Sequence, residues 1–184
     1  MPVIYLVSCT ARKASEPKPA NDLYVSEQFV LSRQFVERCL EYHKHYEEGV
    51  WFILSSKHHL VAPEMILEPY DDYLGNKSRS ERRAWADKVF GSLMEQTRRH
   101  VWKPQHVSLI VLTGKLYWEF VDDKAKTAGF KVHVPWLDER PAGLKGQWKV
   151  LEWQKNWLRD RLNQIQQGDF SFCEKWSEHD DANY

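Results

Sequence analysis

No pair of cysteines with metal-binding or redox spacing occurs in this sequence. Cys9, Cys39 and Cys173 stand apart, so neither a CxxC motif nor a disulfide framework is expected. No apolar run is long enough to cross a bilayer, and no leader pattern opens the chain. These absences point to a reduced, cytoplasmic protein. Neither a GxGxxG turn nor a Walker loop is found, which argues against a dinucleotide enzyme or an NTPase. His43 and His45 lie two apart on an expected helix and so point apart, and the adjacent His58 and His59 offer no paired ligand geometry. No metal and no cofactor are therefore expected. Net charge is missing too, with 26 Lys and Arg against 26 Asp and Glu, which on its face argues against a nucleic-acid binder.

The aromatics and the charge distribution modify that last exclusion. Nine Trp in 184 residues is a high content, and aromatic rings both fill cores and stack on bases. Residues 77–103 are strongly basic, so a local phosphate-binding face is expected despite the balanced total. The segment 174–184 is acidic. The length fits one domain, read here as residues 1–168, with 169–184 expected to be a mobile acidic tail.

Periodicity gives an alternating order of elements. Residues 3–7 (VIYLV), 50–54 (VWFIL), 107–112 (VSLIVL) and 130–134 read as short buried strands. Between and after them, helices are expected from Ser26 as N-cap to about Tyr46, closed off by Gly49, and from Ser78 with capping-box spacing to about His100. Two more follow, after Thr113-Gly114 and over 147–166. This order predicts an α/β fold with a mostly parallel central sheet of about four or more strands and helices on both faces. Ligands of such sheets bind beyond the carboxyl ends of the strands. Four chemically loaded loops are due there: 8–13, 55–59, 113–117 and 135–146.

The ordered pieces SCTARK, PANDLYVSEQF, WFILSSKHHLVAPEMILEPYDDYLG, RRAWADKV and LTGKLYWEF, together with the Pro-x-x-Leu to Gly143 loop, resemble a bacterial and phage family of small proteins. That family was formerly known only as a domain of unknown function and is related to the YaaA peroxide-stress proteins. The likeness spans roughly residues 3–146. Where that family usually carries a small residue, often Gly, after the Lys-His pair, this chain has His59, and the family's Ala-Gly is here Thr113-Gly114. Some members of the wider group are DNA glycosylases directed at modified pyrimidines, including ones that defend bacteria against phages. The resemblance implies a DNA N-glycosylase acting on a modified base, with modified duplex DNA as partner. A non-catalytic DNA-binding stress protein and a nucleoside or nucleotide hydrolase remain the alternatives.

Hydrolysis of an N-glycosidic bond develops an oxocarbenium-like sugar, which a carboxylate stabilises while a donor helps the base leave. Asp71, in its Pro-Tyr context, is the expected carboxylate, and Asp72 is expected to face solvent. Lys57 is read as a phosphate contact or an amine nucleophile, His58 as a donor to the departing base, and Asn21 as a water-positioning group. Asp22 reads equally as a helix cap. Ser8, Cys9, Tyr24, Ser55, Tyr70, Gly114 and Tyr117 are the expected substrate contacts, and His59 is expected to pack or face solvent. Arg12, Lys13, Arg79, Arg82, Arg83, Arg140 and Lys145 are assigned to the DNA backbone.

Overall fold

The computed structural model describes residues 1–44 and 48–177. The strands are β1 (Val3–Ser8), β2 (Lys18–Pro19), β3 (Gly49–Ser55), β4 (His59–Val61), β5 (Ile66–Leu67), β6 (Ser108–Leu112) and β7 (Lys131–His133). The helices are α1 (Ala20–Leu23), α2 (Glu27–His43), α3 (Arg79–Arg99), α4 (Lys115–Trp118), α5 (Asp122–Thr127), α6 (Pro135–Asp138), α7 (Gln147–Gln166) and α8 (Ser171–Ser177). Five strands form the central sheet in the order β4-β3-β1-β6-β7; all its pairings are parallel except that of β4, which lies antiparallel along β3 at one edge. The expected α/β class is observed.

β1, β3 and β6 are wholly apolar in their central residues because both faces of the sheet are covered. Crossovers between parallel strands are right-handed as a rule, and with this strand order that puts α2 on one face and α3 on the other, since the chain leaves β1 in one direction and later crosses back to β6. On the first face Phe35 of α2 packs against Trp157 of α7 and against Phe172 and Trp176 of α8. On the second, Trp85 of α3 meets Tyr117 of α4 edge-on.

The helix starts follow from local chemistry. Ser26 accepts from the Phe29 N–H, and Ser78 with Glu81 forms a reciprocal capping box. The stretch expected to close the first long helix is only partly described: α2 ends at His43, and residues 45–47, including the paired His45 and the expected end at Tyr46, lie outside the described residues. Gly49 begins β3 rather than ending the helix.

The tail boundary needs correction. Residues 171–177 form α8 and bury Phe172, Cys173 and Trp176, because three apolar side chains one turn apart give the segment a face to pack. Residues 178–184 lie outside the described residues. A second feature absent from the expected order is the β3–β4 hairpin. Its turn holds Ser56, Lys57 and His58, and His59 opens β4 with a positive φ of 66°. Among the described residues no helix is long and apolar enough to cross a membrane.

Candidate functional site

Registers bring the sheet's carboxyl edge into line. Ser8 stands level with Leu54, and Val7 with Leu112, so β1, β3 and β6 release their next residues at one edge. Cys9 leaves β1 there, almost fully buried. Its Sγ lies 3.3 Å from the Tyr117 hydroxyl and 3.9 Å from Ser56 Oγ, and it accepts from the Ser56 N–H at 3.4 Å. Burial holds the Tyr117 phenol in its protonated form by pushing its pKa up.

Beside this thiol runs a chain of hydroxyls. Ser55 Oγ is 2.7 Å from the Tyr70 hydroxyl, which is 2.8 Å from that of Tyr24. Ser55 Oγ also accepts from the His58 N–H, while the Trp85 indole N–H donates to the Ser55 carbonyl. Burial pushes the Tyr24 phenol up to about 12 and raises that of Tyr70 as well. The hydroxyls of Tyr24 and Tyr70 are therefore neutral donors at physiological pH. Lys13 is turned in over this network: its Nζ donates to the Thr10 and Ala11 carbonyls and stands 4.2 Å above the Tyr70 ring. Burial lowers the Lys13 pKa, against the pull of Cys9, Asp71 and Asp72.

Two cavities adjoin at this edge. One, of ≈ 620 Å³, is polar and lies between the β3–β4 turn, the 69–72 loop and the first half of α3. Lys57, Lys77 and Lys88 supply its cations and Asp71, Asp72 and Glu81 its carboxylates, of which Glu81 caps α3 through the Ser78 N–H. The Asp72 carboxylate is fixed, with Oδ1 2.7 Å from Lys77 Nζ, and Ser56 Oγ donates to the Asp72 carbonyl. Asp71 is exposed and makes no ion pair among the described residues.

The second cavity, of ≈ 660 Å³, opens between the loop after β1, α4 and the start of α7. Tyr73 and Tyr117 give it aromatic walls, and Gln28 and Gln154 present an amide pair in which Gln28 Nε2 donates to Gln154 Oε1 at 2.9 Å. The ridge between the cavities is the Ser56–Cys9 contact, the Trp85–Tyr117 contact and the Asp72-Tyr73 step. A planar, hydrogen-bonding ring suits the second cavity, and an anionic group suits the first.

Residues 4–149, most of the chain, match the family of unknown function DUF6884. The chain belongs to this family. No curated protein and no solved structure matches it. The DUF6884 segment runs from β1 into the first turn of α7, so it carries every strand of the central sheet but leaves Gln154 and α8 outside.

Within this DUF6884 chain, most of the expected substrate contacts do converge. Ser8, Cys9, Gly114 and Tyr117 line the second cavity, Tyr70 lines the first, and Tyr24 and Ser55 hold Tyr70 in place. Three of the four expected loops meet at the second cavity, while the Ser55–His59 loop adjoins it through Ser56. Lys57 and Asp71 line the first cavity as well.

Other expected residues fall elsewhere. Asn21 lines neither cavity; it sits on α1 with its backbone carbonyl bonded to Arg33, which also grips Asp22 at 2.6 Å. Asp22 is thus an ion-pair partner, and the N-cap of α2 is Ser26. His58 packs edge-on against Tyr70, and burial together with Lys57 lowers its pKa, so it is a neutral ring and not a ready acid. Asp72, expected to face solvent, is the half-buried member of its pair. Lys13, expected on the backbone of DNA, is occupied inside by carbonyls and a ring. His59 lines the first cavity in the left-handed region that favours glycine, which is the backbone reason a small residue suits that position.

The assigned cations divide in the same way. Arg12, Arg79, Arg83 and Lys145 are exposed; Arg82 is held 3.6 Å from Glu119, and Arg140 donates to the Leu144 carbonyl at the second cavity's rim. The basic stretch is not one face. α3 runs away from the site, so Arg98 and Arg99 pair with Glu95 at its far end. Gln28, Gln154, Tyr73 and Lys77 are site residues that sequence reading passed over. Gln28 stood within the PANDLYVSEQF piece, whereas nothing in the pattern of a surface helix marks Gln154. Among the described residues no three His, Cys, Asp or Glu side chains cluster in a way that would hold a metal ion.

Proposed function

We propose that this DUF6884 chain is a DNA N-glycosylase that releases a modified, pyrimidine-derived base, in the service of defence against phages with modified genomes. The resemblance to the YaaA-related group supplies the reaction class. The observation that carries the reading is the pairing of cavities at one sheet edge: an aromatic, amide-lined chamber beside a chamber with three lysines and three carboxylates.

An extruded nucleotide would place its base between Tyr73 and Tyr117, with the Gln28–Gln154 pair opening to read the ring's hydrogen-bonding edge. Its phosphates would lie toward Lys57 and Lys88, and its sugar would cross the ridge. Asp72 is neutralised by Lys77, so Asp71 is the carboxylate free to stabilise the sugar cation and orient water. The C1′–N bond breaks with its electrons leaving on the base; water adds hydroxide to C1′, and its proton passes to the carboxylate or to the departing base. Tyr117, kept protonated by burial, is the donor nearest the base, a part that sequence reasoning gave to His58.

The test is incubation of the protein with duplexes carrying cytosine, 5-methylcytosine, 5-hydroxymethylcytosine, its glucosylated form, or 5-hydroxymethyluracil, with mass spectrometry of released bases. Release of one modified base by wild type, lost by at least about a hundredfold in Asp71→Asn while folding and DNA binding persist, is the expected result. Asp72→Asn should lose less. Release of free base from nucleosides but from no DNA would replace this reading with a nucleoside hydrolase, and binding without release would leave a DNA-binding protein.

A further inference from the structure

Among the described residues, no packing accounts for Trp148. The indole is 71 % exposed on the first turn of α7, the most wasteful place to put the largest apolar side chain unless something covers it. Its neighbours in the chain are informative. Gly146 and Gln147 precede it and Val150 and Leu151 follow it, and all four line the second cavity, so Trp148 stands on that cavity's lip. Lys145 and Lys149 flank it and are exposed. Lys155, one helical repeat on, holds the indole from one side with its Nζ 5.8 Å from the ring. Lys155 is itself tethered to Glu27 and Glu152, so the brace is anchored.

We infer that Trp148 is the side chain that enters the duplex and fills the space vacated by the extruded nucleotide, with Lys145 and Lys149 on the flanking phosphates; this rests on the glycosylase reading above. A base drawn into a pocket leaves an unstacked gap, and an apolar wedge at the pocket mouth offsets that loss. Tyr73, an exposed aromatic that does line this cavity, forms its wall instead. Trp148 is prepared for the role by three features: its chain neighbours line the cavity, a tethered cation stands beside its ring, and most of its surface is exposed.

The experiment measures Kd for three probes: an intact duplex, the same duplex with one tetrahydrofuran abasic analogue, and the analogue-bearing single strand. Wild type should prefer the abasic duplex. Trp148→Ala should lose about tenfold or more on that duplex and little on the single strand, and Trp148→Phe should recover most of the loss. The side chain is exposed, so thermal stability should be unchanged in both variants. Equal losses on duplex and single strand would overturn the wedge in favour of a simple stacking platform. No loss on either probe would also overturn it, as would a dimer that the alanine variant dissociates. A wild-type protein indifferent to the abasic analogue would instead overturn the glycosylase reading itself.

Discussion

His43 sits on the buried side of α2 with its Nε2 3.0 Å from the Tyr5 hydroxyl. Burial, aided by the positive amino terminus, lowers its pKa from 6.5 to about 4, while burial raises that of Tyr5, so the phenol donates to a neutral ring. As pH falls below 6.5 the unfolded chain takes up this proton first, and stability drains away until about pH 4. The contribution is up to about 3 kcal/mol. Thermal melts from pH 7.5 to 4 should show a steeper loss for wild type than for His43→Gln, which keeps an acceptor for Tyr5 without a titrating ring. Parallel curves would show that His43 is not the group responsible. His59 makes a second residue-scale case. Its φ of 66° is costly for a side chain, so His59→Gly should hold or raise stability by up to about 1 kcal/mol in urea denaturation, where glycine in a strand ordinarily costs that much.

At the scale of elements, α3 is a cap, a wall and a divided set of charges. Its capping box satisfies two orphan groups at the N-terminus, where Glu81 also complements the helix dipole. Ser78→Ala should cost about 1 kcal/mol, read from the denaturation midpoint at unchanged slope. The helix's 21 residues span about 30 Å, so its two basic ends serve different surroundings. Arg79 and Arg83 stand by the Phe120 ring beside the site, with Arg83 5.3 Å from its centre. Reversing both to Glu should weaken DNA binding and reduce the salt slope by about two, whereas reversing Arg98 and Arg99 should leave both nearly unchanged. Equal effects from the two pairs would return the whole helix to the DNA contact.

At the scale of the molecule, α8 closes the face opposite α3. Phe172 stacks on Phe35, Trp176 meets both rings, and Cys173 Sγ lies 3.1 Å from Cys39 Sγ of α2. This packing is continuous with the Phe35–Trp157 contact that seats α7. The seat bears on the proposed function because α7 supplies Gln154 and the lip of the second cavity. Trp176→Ala should cost about 3–5 kcal/mol. If it also weakens binding to abasic duplex, α7 has moved with it; binding that persists in the folded fraction would show that α7 is held by α2 alone.

The sequence by itself determined the alternation of apolar strands and capped helices, and with it the sheet, because period and capping chemistry are local. It also determined which loops meet at the two cavities: Ser8, Cys9, Tyr70, Gly114 and Tyr117 were legible since each follows a strand end or a Pro turn, and strand ends share an edge in a parallel sheet. Orientation within those loops was not legible. Asp71 and Asp72 are adjacent, and only Lys77 and the Ser56 hydroxyl decide which one is held. Lys13 reads as a surface cation until Tyr70 is seen beneath it, and residues 77–103 read as one basic face until α3 carries its end away from the site. α8 was hidden for a related reason, since acidic composition outweighed three apolar residues whose partners lie more than a hundred residues away. Gln154 and Trp148 are ordinary helix residues in sequence, and only the packing of α7 against α2 places one in a cavity and the other on its lip.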